Sequence, residues 1–384
     1  MKIVADRAIP FVDYFFNTLG SVKLCEGNRI SRADLIDADA LIVRTVTRIN
    51  RDLLEGTNVR IVASATSGHD HVDTEYLQQQ GIHFISAPGC NARSVAEFVL
   101  SSLFVLAQIG QFKLADKVVG IIGCGHVGIA LYGFLRTLEI NCLLHDPLLQ
   151  QAGSHLPLVG MEAVLGADIL SLHVPLTRTG PFPTLHMLNS ERLARVSKDA
   201  IIINTSRGGV IDESALVSYM ESAPDSAVVM DVWENEPAIN RELVNKVSIA
   251  TPHIAGYSSD AKLQGTATVF AGLSRLAGTG LNLPPLPELP LPETATIDLS
   301  GFDELADAVQ MAVLAGYDVR TDCAALRQTM NSADADKKKL FSELRNQYPV
   351  RREFPAMTVR LAGQSILLEQ QLQKLGFKVE SAAV

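Results

Sequence analysis

Short apolar runs alternate with stretches of helical spacing along the first two-thirds of the chain, and this rhythm most limits the fold. Ile3-Val4-Ala5, Ala40 to Val43, Arg60 to Ala63 and Ile82 to Ile85 read as buried strands, with helical segments such as Ser31 to Asp37 and Thr74 to Gln80 between them. Strands alternating with helices build a parallel sheet covered on both faces, because each parallel pair needs a long crossover that packs back on the sheet. A second, stronger set follows: Val118 to Ile122, Cys142 to His145, Ile169 to His173, Ile201 to Asn204, Val228 to Met230 and Val247 to Ala250. Six such strands are what a doubly wound dinucleotide-binding domain needs. Two long helical segments, Asn91 to Gln108 and Ser258 to Leu276, read as the crossings between two domains, so the first domain is expected to be discontinuous.

The Pro-rich stretch from Leu283 to Glu293 cannot continue a helix and reads as a stiff linker. Beyond it, Asp303 to Leu314, Cys323 to Met330, Lys337 to Gln347 and Gln364 to Leu375 have helical character, and Met357 to Leu361 and Phe377 to Glu380 look like strands. With 384 residues the chain has room for two or three domains. A net charge of −9 denies it the diffuse positive field of a nucleic-acid or membrane-surface binder, leaving room for a local basic pocket. The five cysteines are scattered and never spaced C-x-x-C, which argues against a disulfide framework or a zinc ribbon and fits a reducing compartment. The N-terminus lacks the features of a signal peptide, and the apolar stretch near Phe98 to Ile109 is too short to span a bilayer. The expectation is a soluble, cytoplasmic protein.

After the strand ending at Ile122 come Gly123-Cys124-Gly125-His126-Val127-Gly128 and then a helix. Strand, G-x-G-x-x-G and helix in that order is the context that gives the motif meaning. Gly123 permits the tight turn, Gly125 lets backbone approach a pyrophosphate, and Gly128 lets helix pack on strand. His126 and Val127 open the helix whose amides face the phosphates. The next strand ends in Asp146, close to the spacing of about 20 residues expected of a ribose-binding acid. A carboxylate there accepts from a 2′-hydroxyl and repels a 2′-phosphate, so NAD is favoured over NADP.

Three further segments stand at predicted strand ends, where ligands of open α/β sheets bind. They are Asn204-Thr205-Ser206-Arg207-Gly208-Gly209, Asp231-Val232-Trp233-Glu234-Asn235-Glu236-Pro237 and Thr251-Pro252-His253-Ile254-Ala255-Gly256. An arginine, a carboxylate and an imidazole suit oxidation of a 2-hydroxy acid. The imidazole takes the hydroxyl proton, the carboxylate orients the ring, and the guanidinium grips the substrate carboxylate.

Together with His173-Val174-Pro175-Leu176-Thr177, these motifs make the chain resemble the D-isomer-specific 2-hydroxyacid dehydrogenases over most of residues 40–260. The resemblance implies that Arg207, Glu236 and His253 are catalytic. It also implies that Pro175, the turn of Thr205, Ser206, Arg207 and Gly208, then Asp231 and Gly256 line the NAD site, with Asp231 near the nicotinamide carboxamide. The implied architecture is two doubly wound parallel-sheet domains plus a small α+β C-terminal domain. These are a flavodoxin-like substrate (lid) domain, residues 1–95 and 256–284, a Rossmann NAD domain, 96–255, and a C-terminal dimerisation domain, 285–384.

Within the family, the short connection Gly110 to Lys117, the segment Val43 to Asn50, Tyr257 after the P-H-I-A-G motif, and the Pro-rich linker with its C-terminal unit resemble a subgroup acting on a phosphorylated four-carbon hydroxy acid. Its carboxylate is expected to meet Arg207 and the loop Thr66-Ser67-Gly68. Its phosphate is expected among Arg44, Thr45, Thr47, Arg48 and Tyr257, and the chain is expected to form a homodimer through the C-terminal domain. Where the family has a threonine-rich loop, this chain has Gly180-Pro181-Phe182-Pro183-Thr184.

Blander readings apply elsewhere. Arg44 can equally serve a structural ion pair. Arg351-Arg352 reads as a solvated basic turn, with reach into a partner's site as the alternative, and Lys337-Lys338-Lys339 as a solvated helix face. His69-Asp70-His71 reads as a polar loop, no third metal ligand being in view. Competing functions are a dehydrogenase of phosphoglycerate or glyoxylate/hydroxypyruvate, and a NAD-sensing interaction protein on the same scaffold.

Overall fold

The structure, a computed structural model, describes residues 1–302, 304–333, 336–361 and 365–381. They form two compact units, Met1–Asn91 with Ser258–Pro290, and Ala92–Tyr257 with Leu291–Val384.

The first unit holds five parallel strands, β1 (Lys2–Asp6), β2 (Ser21–Cys25), β3 (Ala40–Val43), β4 (Ile61–Ser64) and β5 (His83–Ile85), in the order β2-β1-β3-β4-β5. Both faces are covered, which is why β3 and β4 are continuous apolar runs. On one face Leu263, Ala267, Phe270 and Leu273 of the Ser259–Leu276 helix pack with Phe15 and Phe16. On the other lie Leu35, Leu54, Tyr76 and Leu77. Ser258 caps the long helix by accepting from the Ala261 amide at 2.9 Å. The edge strand β2 has no apolar run. It alternates instead, Val22 and Leu24 packing inward while Lys23 faces out, as a half-covered edge allows.

The second unit contains β6 (Val118–Ile122), β7 (Asn141–His145), β8 (Ile169–Leu172), β9 (Ile201–Asn204), β10 (Ala227–Met230) and β11 (Ile249–Ala250), all parallel in the order β11-β10-β9-β8-β6-β7. The order reverses at β6, so the crevice beyond its carboxyl end is where a ligand of this topology binds. The Ala92–Gly110 helix is the one described helix long and apolar enough to cross a bilayer, yet it is sunk in this unit, with Ser94 to Ala107 all buried.

The same unit includes a small parallel sheet, β12 (Thr296–Asp298), β13 (Thr358–Leu361) and β14 (Lys378–Ser381), with helices Leu305–Gly316, Val319–Asn331, Lys337–Asn346 and Ile366–Leu375. Two expected helix starts, Asp303 and Gln364, lie outside the described residues. The short β12 escapes the apolar-run criterion because only Ile297 of its three residues is buried. Phe354 stacks on Phe377 with centroids 4.4 Å apart and on Phe134 at 6.4 Å, joining this segment to the core around the large sheet. Arg351 corrects the solvated-turn reading. It is 6% exposed, donates to the Ser94 carbonyl at 2.7 Å and the Ala255 carbonyl at 3.0 Å, and its guanidinium carbon lies 3.6 Å from the centre of the Tyr317 ring. Such a cation stays in the interior because carbonyls and an aromatic face replace its water.

Candidate active site

At the carboxyl end of β6 the chain turns through Gly123 (φ 94°) into the His126–Thr137 helix. A Cβ on Gly123 would lie 2.7 Å from the His173 carbonyl oxygen, and one on Gly128 2.1 Å from the oxygen of Gly123. Both glycines are therefore dictated by close backbone approach. A Cβ on Gly125 would meet nothing within 4 Å, so the bare backbone there faces open space beside the helix start, with His126 exposed and Val127 half-buried. This cradle fits a pyrophosphate. Asp146 ends β7 next to it, one carboxylate oxygen accepting from the Cys124 amide at 3.0 Å and the other capping the next helix through Leu149 N at 3.0 Å. Burial and the Asp146 charge push the Cys124 thiol up to about 12, so Cys124 is a filler and not a nucleophile.

Beyond β9 the buried Asn204 builds the next turn. Its Oδ1 accepts from Ser206 N at 3.1 Å and Ser206 Oγ at 2.7 Å, while Nδ2 donates to the Arg207 carbonyl at 3.0 Å. A Cβ on Gly208 would sit 2.0 Å from the Trp233 carbonyl, which explains glycine after Arg207. The Arg207 side chain is half-buried and its Nη1 donates to the Ser206 carbonyl at 2.7 Å. Thr205 Oγ1 lies 3.3 Å from His173 Nδ1, and Ser171 Oγ 2.9 Å from His173 Nε2. Burial drives His173 down to about 3, so it is a neutral strut. Pro175 is exposed, and the departing loop after it is clasped by Thr184, whose hydroxyl donates to the Pro175 carbonyl and accepts from Thr177 N at 2.8 Å.

The third and fourth motifs meet. His253 Nδ1 lies 2.7 Å from Glu236 Oε2, and Glu236 Oε1 accepts from Trp233 N at 2.9 Å. Burial raises the Glu236 carboxyl, but the His253 ring, Arg345 and the Trp233 amide outweigh it, and the net shift is downward. Glu236 is thus a carboxylate at neutral pH. His253 has φ 59°, a left-handed conformation costing on the order of 1 kcal/mol. Asp231, 1% exposed, holds the turn in place. Its Oδ1 accepts from Thr251 Oγ1 at 2.7 Å and Ile254 N at 2.8 Å, and its Oδ2 from Ala255 N at 3.0 Å. Ser94 Oγ and Arg351 both donate to the Ala255 carbonyl. Gly256 and Tyr257 follow half-buried, and Arg345 donates to the Tyr257 hydroxyl at 2.8 Å.

In the first unit Arg44 forms an ion pair with the fully buried Asp6, Nε to Oδ2 at 2.7 Å. Thr45 and Arg48 are exposed, whereas Thr47 is buried and donates to the Gly27 carbonyl at 2.7 Å. Thr66 Oγ1 is 2.7 Å from Ser64 Oγ and donates to the Gly68 carbonyl at 3.1 Å, and Ser67 Oγ accepts from Gly89 N at 3.3 Å. Lys262, near enough to Arg44 for burial and that charge to lower its pKa, is a cation that motif reading passed over. Arg345 has no motif to mark it either, and the structural roles of Asn204 and Arg351 go beyond what their motifs imply. Only Asn204, a polar residue closing an Ile-Ile-Ile run, had a local signal.

A family model described as the NAD-binding domain of D-isomer-specific 2-hydroxyacid dehydrogenases matches residues 103–255, and a domain of unknown function matches 288–376. The NAD-bound 3-phosphoglycerate dehydrogenase of Entamoeba histolytica superposes with a TM-score of 0.63 at 24% identity, covering 75% of this chain and 99% of that one. The D-lactate dehydrogenase of Aquifex aeolicus gives 0.60 at 22%, covering 72% and 96%. Fold and site thus define a dehydrogenase of the 2-hydroxyacid class. Erythronate-4-phosphate dehydrogenase of Marinobacter nauticus is 42% identical over 99% of this chain and 100% of its own length, and that of Cronobacter sakazakii 42% over 98% of each. The chain belongs to the erythronate-4-phosphate dehydrogenase family.

Proposed function

We propose that this chain oxidises 4-phospho-D-erythronate at C2 to 2-oxo-3-hydroxy-4-phosphobutanoate with NAD, a step of pyridoxine biosynthesis. The observation that carries the chemistry is the 2.7 Å contact between His253 Nδ1 and Glu236 Oε2. With Nδ1–H donated to a carboxylate, Nε2 keeps its lone pair and takes the C2 hydroxyl proton. Glu236 then stabilises the imidazolium so formed. Arg207 receives the substrate carboxylate and draws electron density from the C2 oxygen. NAD held at the glycine cradle would supply the acceptor for the hydride of C2. Gly123 to Gly128 would hold its pyrophosphate, Asp146 its ribose, and Pro175, Thr205 to Gly208 and Gly256 would line the rest. Asp231 acts by ordering the turn that carries His253.

Arg44, Thr45, the Thr66-Ser67-Gly68 loop and Tyr257 are assigned to substrate. The domain roles are substrate lid for 1–95 with 256–284, NAD binding for 96–255 and dimerisation for 285–384, in a cytoplasmic homodimer. Ile366 and Leu367, 70% and 49% exposed on one C-terminal helix, support a contact surface there.

The test is turnover of 4-phospho-D-erythronate with NAD by the full chain and by His253→Ala. The expected loss in kcat is ~10²–10⁴-fold, the worth of general acid–base help. Wild-type turnover with an unchanged kcat in the variant removes His253 from the mechanism. No wild-type turnover rejects the substrate.

A further inference from the structure

Arg345 stands out among the cations of the second unit. It sits half-buried on the Lys337–Asn346 helix, within the stretch matched by the domain of unknown function. Its Nη2 donates to the Tyr257 hydroxyl at 2.8 Å, and its guanidinium carbon lies 5.3 Å from the Tyr257 ring centre. Tyr348 packs edge-on against that ring at 5.9 Å, fixing its plane. Among the described residues Arg345 has no other hydrogen bond and no carboxylate within ion-pair distance, and its Nε is buried without a partner. Arg351 shares a buried, unpartnered Nε but differs at its other two nitrogens, which donate to the Ala255 and Ser94 carbonyls while its guanidinium lies over the Tyr317 ring. The Nε–H of Arg345 is withdrawn from water, while its Nη1 is neither bonded nor among the buried unpartnered atoms, so a half-buried cation with donors to spare is left for an anion to complete.

Tyr257 lies four residues beyond His253, and the Arg345 charge helps to lower Glu236. The cation therefore stands close to the proton-transfer pair. The substrate proposed above carries two anionic groups, and Arg207 is assigned to only one.

We infer that Arg345, steered by Tyr257, is a specificity-determining residue of the C-terminal segment that binds the phosphate of a phosphorylated 2-hydroxy acid. The inference rests on the proposed function. The Arg345 fork of N–H donors matches phosphate oxygens bidentately, and the Tyr257 hydroxyl, by accepting from Nη2, sets the orientation of that fork. The C-terminal segment is thereby part of the site of its own chain, whatever it does between chains.

The experiment compares kcat/KM for 4-phospho-D-erythronate and for D-erythronate in the full-length wild type, Arg345→Met and Arg345→Lys. Arg345→Met is expected to cut the preference for the phosphorylated acid by about ten- to hundredfold, chiefly through KM, the worth of a charge-assisted hydrogen bond or two. Arg345→Lys, which keeps the charge but not the fork, should fall between. If D-erythronate turns over too slowly to time, inhibition by inorganic phosphate replaces it, and Arg345→Met should weaken it by a similar factor. Equal losses on both substrates, or unchanged phosphate inhibition, overturn the inference and leave Arg345 a support for Tyr257. Should Arg345→Met fail to fold, Arg345→Lys with unaltered preference overturns it as well. A wild type inert towards 4-phospho-D-erythronate instead defeats the functional reading beneath.

Discussion

The two large sheets follow one grammar, parallel strands with polar residues at their carboxyl ends, yet they commit those residues differently. At the ends of β9, β10 and β11 the side chains bond across elements. Asp231 holds the backbone of Ile254 and Ala255, Glu236 meets His253, and Trp233 Nε1 donates to the Thr251 carbonyl at 2.9 Å. Beyond β4 the hydroxyl bonds of Ser64 and Thr66 are local, whereas Ser67 accepts from Gly89 N, Thr47 donates to the Gly27 carbonyl, and Arg44 pairs with Asp6, the exception that joins two charges. The first arrangement fixes in advance the groups that the proposed function assigns to proton transfer. The second leaves short hydroxyl side chains that can re-pair with a ligand at small cost.

The sharpest way to break this contrast is to remove the hub of the rigid set. Asp231→Ala strands three donors, the Thr251 hydroxyl and the Ile254 and Ala255 amides, all on buried residues. At about 1–3 kcal/mol for each unpaired group, the variant should lose on the order of 4 kcal/mol of stability in urea denaturation. It should also lose most of its turnover, because the left-handed His253 is no longer held. A loss below about 1 kcal/mol would mean that the turn is kept by Ser94 and Arg351 instead.

Arg44→Ala tests the exception in the other sheet. Arg44 is assigned to substrate, but it also neutralises Asp6, which has no exposure of its own. Removing one partner of such a pair leaves an uncompensated buried charge, and about 3 kcal/mol of stability should go with it. Arg44→Ala is also expected to raise KM for phosphorylated substrate, and the pair Asp6→Asn/Arg44→Ala should recover a good part of the stability while keeping that rise. If KM recovers together with stability, Arg44 is structural only.

The same contrast accounts for what could be read from the chain alone. β3, β4, β8 and β9 are legible because parallel strands covered on both faces must be continuous apolar runs. The glycine cradle is legible because backbone contacts of 2.1 and 2.7 Å leave no alternative residue at Gly128 and Gly123. β2 and β12 are not, since an edge strand or a three-residue strand needs only one or two buried side chains. The C-terminal contributions to the candidate site are the least legible. Arg345 and Arg351 lie 88 and 96 positions from the residues they hold, and a basic pair in a Pro-flanked turn has the local pattern of solvent-exposed chain. Only tertiary packing makes Arg351 a buried clamp and sets Arg345 against Tyr257 with no carboxylate in ion-pair reach among the described residues.

The last prediction probes how the C-terminal segment is fastened to the Ala92–Gly110 helix. Glu97, fully buried on that helix, accepts from Phe354 N at 3.0 Å through Oε1, with Arg93 Nη1 at 3.8 Å, while its Oε2 is buried without a hydrogen-bond partner. Burial, reinforced by the Glu353 charge, pushes its carboxyl well above the usual range despite Arg351, the Phe354 amide and Arg93. A carboxyl whose pKa is higher folded than unfolded binds more protons in the native state over the interval between the two values. Its stability contribution is therefore complete below the unfolded value of ~4.3 and is lost as pH rises through the folded one. Glu97→Gln keeps an acceptor for Phe354 N and removes the titration. It should be no more stable than wild type at pH 4 but more stable at pH 8, by about 1.4 kcal/mol for each pKa unit of the upward shift abolished. Thermal unfolding at the two pH values measures this directly. A variant less stable than wild type at both would mean that Glu97 is ionised and is held by Arg351 and Arg93 as a buried ion pair, so that the C-terminal segment is fastened by charge and not by a neutral hydrogen bond.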